Sequence, residues 1–409
     1  MALKQNPAVL AAREELRRTR GIIIETRAQA IPQLTAIGEY RKIDDDFVDS
    51  FPGTPGAFDN QTEPWRATVE LSQLVWSGGR VQAAIRAARL SDRIALLDYH
   101  RIVAQTILDV RRAFYLILLN QELVTVREQS LRLLTQQLAD TRHRFEVGAV
   151  PQFNVLRAEV ELANAKPPLI RARNDLRLSK ESLARLLAIE TLAQHPLDSP
   201  SFTPTGKLEY QPREWTLEQA LREALAQRPE LEQAEARVRL QHENLRAARA
   251  GYHPEIAVFA DYGIRNSTFS GELDDTIHGW SVGARARWNL FDGLATHGRV
   301  QQAQAQLHAA EIQAADTRRA IELEVRQAYS DFLQAVELLE AQKKTVEQAE
   351  ESLRLAEARF RAGSGTQLDV LSAQTALTEA RSNEARALYD YNVAVATMER
   401  VTGATVRWK

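Results

Sequence analysis

The clearest pattern in the chain is an alternation. Trp280, Val282, Ala284, Ala286, Trp288 and Leu290 alternate with Ser281, Gly283, Arg285, Arg287 and Asn289. A period of two predicts a strand with one apolar and one polar face. The segment after Pro254 repeats it, with Ile256, Val258, Ala260, Tyr262 and Ile264 on one face and Asp261 and Arg265 among the other positions. Weaker versions lie at 33–43 and 68–76. Loops rich in Gly, Pro, Asp and Ser join each pair, at Asp44–Glu63 and Asn266–Gly279. Beyond Gly78 and Gly293 the period changes. Val103, Ile107, Val110, Phe114 and Ile117 are spaced 4-3-4-3, as are Val325, Tyr329, Phe332, Val336 and Leu339. That spacing is a coiled-coil seam. About 70 residues separate each of these glycines from the next turn glycine, enough for a helix of roughly 100 Å.

The same elements occur twice. Asn6-Pro7 matches Arg228-Pro229 and Ile31-Pro32-Gln33 matches His253-Pro254-Glu255, both at an offset of 222. Trp76-Ser77-Gly78 matches Phe291-Asp292-Gly293, and Gly148 matches Gly363, at 215. One copy therefore has a longer loop between Pro32 and Gly78. The first repeat is expected over 1–190, with strands at about 33–43 and 68–76, a long helix at 79–147 and a return helix at 151–189. A proline-rich connector over 191–214 contains Pro196, Pro200, Pro204 and Pro212. The second repeat covers 215–403, with strands at 255–265 and 280–291, a long helix at 294–362 and a return helix at 366–402. It opens with a helix predicted from about Trp215 to Ala250. Its counterpart starts abruptly at Met1, so a helix start and a signal peptide are expected upstream. Pro167-Pro168 should kink or break the first return helix.

Composition narrows the picture. Hydrophobic residues make up 44% of 409 positions and the mean hydropathy is -0.35. No run approaches the ~20 apolar residues of a membrane-spanning helix. A net charge of -2 gives no basic field for nucleic acid. These residues include no cysteine, so no disulfide, thiol chemistry or Cys-anchored lipid is expected of them. No phosphate loop, nucleophile elbow or H-E-x-x-H is present, and the eight histidines are scattered. No catalytic, cofactor or metal site is expected.

Each hairpin is entered from a helix and left into a helix, so the helices lie on one side of the strands and the loops on the other. Four strands with one apolar face cannot close a barrel, since the smallest outer-membrane barrels have about eight. A closed ring of three copies would supply twelve, with the helices continuing it as a tube. Trp65, Trp76, Trp280 and Trp288 lie in or beside strands, as in an aromatic girdle. A soluble sandwich with buried tryptophans is the other reading, because alternation alone does not tell lipid from core.

The two-fold repeat, "LSQLVWSGGR", "WNLFDGLA" and the paired turns "RFEVGAVPQFNVL" and "RFRAGSGTQLDVL" resemble the TolC-type outer-membrane factor family over nearly the whole chain. The resemblance implies a mostly α fold with a small β part: long coiled-coil helices forming a periplasmic α-barrel, and four strands per protomer in a trimeric 12-stranded transmembrane β-barrel of the Gram-negative outer membrane. It implies the passive exit duct of a tripartite efflux pump or type I secretion system for drugs, metals or secreted polypeptides. The partners implied are a homotrimer, a periplasmic adaptor (membrane fusion) protein, an inner-membrane RND-type pump or ABC transporter, and outer-membrane lipid. A periplasmic coiled-coil adaptor or scaffold is the alternative.

In the family the turns at the far end of the helices line the aperture and touch the adaptor. Arg144, Phe145 and Gly148 match one such turn, and Arg359, Phe360 and Gly363 the other. The arginines are expected to pair across the tip or meet the adaptor, unless they are ordinary solvated side chains. Asp369 matches an acidic position at the constriction, where three copies would form a carboxylate ring. The first copy has Asn154 there, and Ser372 replaces a second acid. Thr366-x-x-Asp369 also reads as a capping-box start of a helix. Glu70, Asp261, Arg285 and Arg287 fall on the polar side of strands and would line the lumen, or simply form an exposed sheet face.

Overall fold

The computed structural model describes residues 1–44, 63–189, 204–267 and 274–404. Residues 45–62 and 268–273 of the expected loops, and Pro196 and Pro200 of the connector, lie outside the described residues; the second expected loop is shorter than 266–279, since β4 begins at Thr276. The elements run α1 (Ala2–Gln5), α2 (Pro7–Ala28), β1 (Gln33–Tyr40), β2 (Trp65–Trp76), α3 (Arg80–Glu146) and α4 (Gln152–Leu187). The second half repeats them as α5 (Leu217–Gln227), α6 (Pro229–Arg249), a 3-10 turn (Ala250–Tyr252), β3 (Glu255–Asn266), β4 (Thr276–Arg287), α7 (Ala295–Arg361) and α8 (Gln367–Val401). Among the described residues no helix is long and apolar enough to cross a membrane.

Three expectations change. The helix predicted from Trp215 to Ala250 is broken at Arg228, which is extended at φ -73°, ψ 125°. Asn6 holds φ -60°, ψ 127° at the same place in the first copy. Each precedes a proline, whose ring drives the preceding residue out of the helical region. Conversely, α4 runs through Pro167 and Pro168 without ending. The carbonyls deprived of donors belong to Ala163 and Asn164, both exposed, so solvent can serve them. Finally β4 ends at Arg287, and Trp288, Leu290 and Phe291 follow the strand.

The chain divides into two compact units, and neither coincides with a repeat. One comprises Met1–Arg13, Asp98–Leu231 and Asp316–Lys409; the other comprises Glu14–Leu97 and Glu232–Ala315. Each draws on both repeats because the long helices pair across them.

In the helical unit α7 and α8 share a dry seam. Val325, Phe332 and Leu339 meet Ala387, Tyr391, Met398 and Val401, all buried, with Ala220 and Ala224 of α5 closing the third side. The α8 positions Ala387, Tyr391, Ala394, Met398 and Val401 are themselves spaced 4-3-4-3. Trp215 packs edge-on against Phe332, with ring centroids 5.0 Å apart. Burying each large apolar side chain contributes about 1.5–3 kcal/mol. The connector lies over α3 and α8: Gly206 abuts Phe114 of α3, and the Tyr391 hydroxyl of α8 donates to the Gln211 carbonyl at 2.5 Å. Ala113 and Ile117 of α3 pack on Leu183 of α4.

At the α5–α6 break sits an ionic ring. Buried Arg228 bonds Glu230 and Glu324, while Arg400 of α8 bonds Glu324 and lies 3.8 Å from Glu230. Burial raises the Glu230 carboxyl, but the Arg228 hydrogen bonds and charge outweigh it and hold Glu230 below the ordinary value.

In the second unit, helices support the sheet. Thr19 of α2 donates to Asp92 of α3, Arg86 of α3 pairs with Glu243 of α6, and Leu245 of α6 packs on Val300, Ala303 and Leu307 of α7. The strands form one antiparallel sheet in the order β1-β2-β3-β4.

Candidate functional site

The two helix turns share one backbone design. Gly148 has φ +75° and Gly363 has φ +73°. In the first, Gly148 N–H donates to Phe145 C=O at 2.9 Å and Ala149 N–H to Arg144 C=O at 2.8 Å. In the second, Gly363 N–H donates to Phe360 C=O at 3.2 Å and Ser364 N–H to Arg359 C=O at 3.0 Å. Both are Schellman caps, which explains the spacing of R-F-x-x-G: the carbonyls of Arg and Phe receive the two closing bonds. A Cβ on either glycine would meet nothing within 4 Å, so glycine is there for its φ and not for space.

The structure joins the two turns through Arg144 and Phe360. The Arg144 guanidinium stacks over the Phe360 ring, 4.8 Å from its centroid, a cation–π contact. Arg144 therefore does not pair with Arg359, which is exposed. Between the turns lies a groove of about 320 Å³ lined by Gln137, Asp140, Thr141, Arg144, Phe360 and Gln374 among others. Gln367 donates to Thr141 at 3.2 Å across it, and the Gln137 side-chain nitrogen is buried there without a hydrogen-bond partner.

The helices that follow start differently. Thr366 and Asp369 form a full capping box: Thr366 N–H donates to the Asp369 carboxylate at 2.9 Å, and Asp369 N–H to the Thr366 hydroxyl at 3.2 Å. Asp369 is exposed, and the hydrogen bonds that its carboxylate takes from the Thr366 backbone N–H and the Thr366 side chain, with the nearby Arg359 charge, hold its carboxyl below the usual range. Its capping and aperture readings are thus compatible, since the carboxylate is both a cap and an exposed, ionised group. Ser372 is exposed one turn on. In the first copy Pro151 takes the cap position without a side-chain bond, and Asn154 is half-buried. Sequence reasoning missed the apolar character of this turn. Phe145, Val147, Phe153 and Leu156 are all exposed, against Leu368 alone in the equivalent stretch of the other copy. The run Val147 to Leu156 carried the signal, but a turn residue and a core residue look alike in a short window.

The sheet register sorts the predicted strand residues onto two faces. Glu70 pairs directly with Asp261, and Asp261 with Ser281, whose hydroxyl donates to it. Arg285 and Arg287 follow on the same face, Arg285 lying 5.3 Å from the centroid of the Phe259 ring. Two carboxylates set opposite each other weaken a sheet, so they have no evident folding role. The other face reads Ala36–Val69–Tyr262–Trp280 and Leu34–Leu71–Ala260–Val282 across the strands. Trp65 shares it, opposite Tyr40. A register shift between Leu74 and Trp76 turns Trp76 onto this face too, beside Ile256. Trp288 lies just past β4, its indole N–H donating to Tyr252 C=O at 3.1 Å. Leu34, Val69, Leu71, Tyr262, Trp280 and Val282 are all exposed, Trp280 at 78%.

An antiparallel sheet with an uncovered apolar face is what an outer-membrane channel component presents, and comparison with known proteins agrees: they are channel proteins, not enzymes. The family model described as outer membrane efflux protein matches residues 1–188 and 220–404, and the chain belongs to that family. It is 25% identical over 389 residues to the outer membrane protein TolC of Escherichia coli, covering 90% of this chain and 74% of that one. It is 25% identical over 411 residues to the alkaline protease secretion protein AprF of Pseudomonas aeruginosa, covering 98% and 83%. The crystal structure of the outer membrane protein VceC of Vibrio cholerae superposes with a TM-score of 0.81 at 18% identity, over 98% of this chain and 94% of that one. Family membership places the chain in the Gram-negative outer membrane and sets aside the adaptor or scaffold reading.

Proposed function

We propose that three copies of this chain close their sheets into one twelve-stranded barrel and their helices into a periplasmic tunnel. The assembly is the passive exit duct of a tripartite efflux pump or type I secretion system. The carrying observation is the sheet. Its apolar face is exposed along all four strands, and among the described residues β1 and β4 are the edges, each paired on one side only. In hydrocarbon such edges must be paired, and β4 of one copy meeting β1 of the next leaves none. A second feature supports the ring. On α4, Phe153, Leu156, Val160, Ala163, Pro167 and Ile170 are spaced 3-4-3-4-3 and all are exposed, while α7 exposes Leu323, Leu333, Leu338 and Leu355. The α4 stripe has coiled-coil spacing and would meet an exposed helix face of a neighbouring copy, such as these α7 leucines.

In this assembly Glu70, Asp261, Arg285 and Arg287 face the lumen, and Trp65, Trp76, Trp280 and Trp288 mark the membrane boundaries. The turns at Gly148 and Gly363 form six tips, where Arg144, Phe145, Arg359 and Phe360 meet a periplasmic adaptor linked to an inner-membrane RND-type pump or ABC transporter. Asp369, Asn154 and Ser372 line the constriction. The test is fractionation: the protein should appear in the outer-membrane fraction as a detergent-dependent, heat-sensitive trimer. A soluble monomer would overturn the reading.

A further inference from the structure

The repeat relates the two helical hairpins at an offset of 215, so each position on one has a counterpart on the other. Within the chain α8 lies against α3. Gln367 donates to the Thr141 hydroxyl, Gln374 to the Ser130 carbonyl and Arg381 to the Gln129 side chain. The α8 face that makes these bonds also carries Leu371, Thr378, Ser382 and Ala385, all buried. Their counterparts on α4 are Leu156, Ala163, Pro167 and Ile170, all exposed. One helix face is therefore covered in the second repeat and bare in the first. The helix that bonds this face on α8 is α3, and the counterpart of α3 is α7. But α7 is out of reach of α4 in its own chain: α4 packs on α3, α3 bonds α8, and α8 packs on α7.

Charge distinguishes the two situations. One turn either side of Gln129, α3 carries Thr125 and Arg132, so it offers Arg381 no carboxylate there. Arg381 takes its ion pair from Glu350 of α7, its own hairpin partner, at 2.8 Å. In the first hairpin the counterpart of Arg381 is Lys166 and that of Glu350 is Thr135, so Lys166 lacks that carboxylate. The α7 counterparts of Thr125, Gln129 and Arg132 are Glu340, Lys344 and Glu347. Lys166 and these three are all exposed, and none is paired among the described residues. The carboxylate missing beside Lys166 inside the chain is thus matched by two on the outer side of α7.

We infer that the seam between copies repeats the α3–α8 contact, with α4 of one copy lying on α7 of the next. Lys166 then stands opposite Lys344 with its ammonium between Glu340 and Glu347. Charges flanking a helix seam set partner choice and register, and these fix which residues of two copies meet. The occupant of the bare α4 face is a second copy of this chain. The inference rests on the ring proposed above, and its test tells the two apart.

These residues include no cysteine, so paired thiols report contacts cleanly. The full chain carrying Lys166→Cys and Lys344→Cys is treated in detergent with a short bifunctional thiol reagent and run on a denaturing gel. Covalent species of two and three chains are expected. Lys166→Cys with Gln334→Cys, about 15 Å further along α7, should stay at one chain. A parent trimer on native gels with no cross-link at 166–344, or with the cross-link at 166–334 instead, overturns the seam alone. A parent of one chain overturns the ring and the seam with it. Charge reversal tests the lock. Lys166→Glu should lower the temperature at which the trimer separates, as should Glu340→Lys with Glu347→Lys. The three together should restore most of the loss. A triple variant no more heat-stable than Lys166→Glu, or a Lys166→Glu trimer as heat-stable as the parent, overturns the lock.

Discussion

The return helices α4 and α8 occupy the same place in the two repeats and use their apolar residues in opposite ways. On α8 the heptad positions are buried inside the protomer against α7 and α5, and its polar side chains reach α3 as well. On α4, Leu183 packs on α3, Arg142 and Arg173 pair with Glu159 and Glu128 across the same contact, and near its end the Leu186 carbonyl accepts from the Asn6 side chain. Its other stripe, from Phe153 to Ile170, is bare. A duplicated hairpin has thus divided its labour: one return helix completes the protomer and the other is left for assembly. The turns that lead into them show the same division, the first exposing apolar side chains and the second a capped carboxylate.

The sharpest break of this comparison is at the ionic ring on the α8 side. Arg228→Ala leaves Glu230 and Glu324 without their shared buried partner and should cost about 3–5 kcal/mol of protomer stability by thermal or denaturant unfolding. The pH dependence has a definite sign. Because Glu230 is held below its ordinary value, its contribution is complete above the unfolded-state carboxylate range and is lost as pH falls through the depressed folded value. Unfolding midpoints should therefore drop on acidification, and Glu230→Gln should flatten that drop.

Next in size is the contrast between buried and bare stripes. Met398→Ala on α8, a fully buried site, should destabilise the protomer by about 2–5 kcal/mol. Ile170→Ala on α4, 67% exposed, should leave protomer unfolding within about 0.5 kcal/mol of the parent while shifting the trimer toward dissociation on native gels. Equal effects on protomer stability would erase the distinction.

The turns offer smaller effects. Gly148→Ala and Gly363→Ala place a Cβ at positive φ in open space, and each should cost about 1–2 kcal/mol. Similar losses of stability at the two, with different losses of export, would separate backbone design from function. Smallest is Thr366→Ala, about 1 kcal/mol from the lost cap. Asp369→Ala adds a change in cation preference in planar bilayers if the carboxylates ring the aperture, and Asn154→Asp should move that preference the other way.

Much of this fold was legible in the sequence for one physical reason: periodicity reports which side of an element avoids water. Of the 4-3-4-3 series, Val325, Phe332 and Leu339 are buried and Tyr329 and Val336 pack half-buried against them, and Trp280, Val282, Ala284 and Ala286 share a face. Periodicity does not say what covers that side, so the buried stripe of α8 and the bare stripe of α4 read alike. The break at Arg228 was in plain view as X-Pro, yet the helix formers on both sides masked it. Arg144 on Phe360 was out of reach because it joins residues far apart in the chain through the packing of two helices. The capping box at Thr366 and Asp369 was readable because both partners lie within one turn.

On the proposed assembly the bare face of α4 joins the copies into a channel ring. Light-scattering mass measurement of detergent-solubilised protein reads this out, parent against Ile170→Asp. The parent particle should contain three 46.0 kDa chains and the Ile170→Asp particle one chain, with unchanged protomer helicity and unfolding midpoint. A parent particle of one chain, or an Ile170→Asp variant that remains a stable trimer, would contradict it.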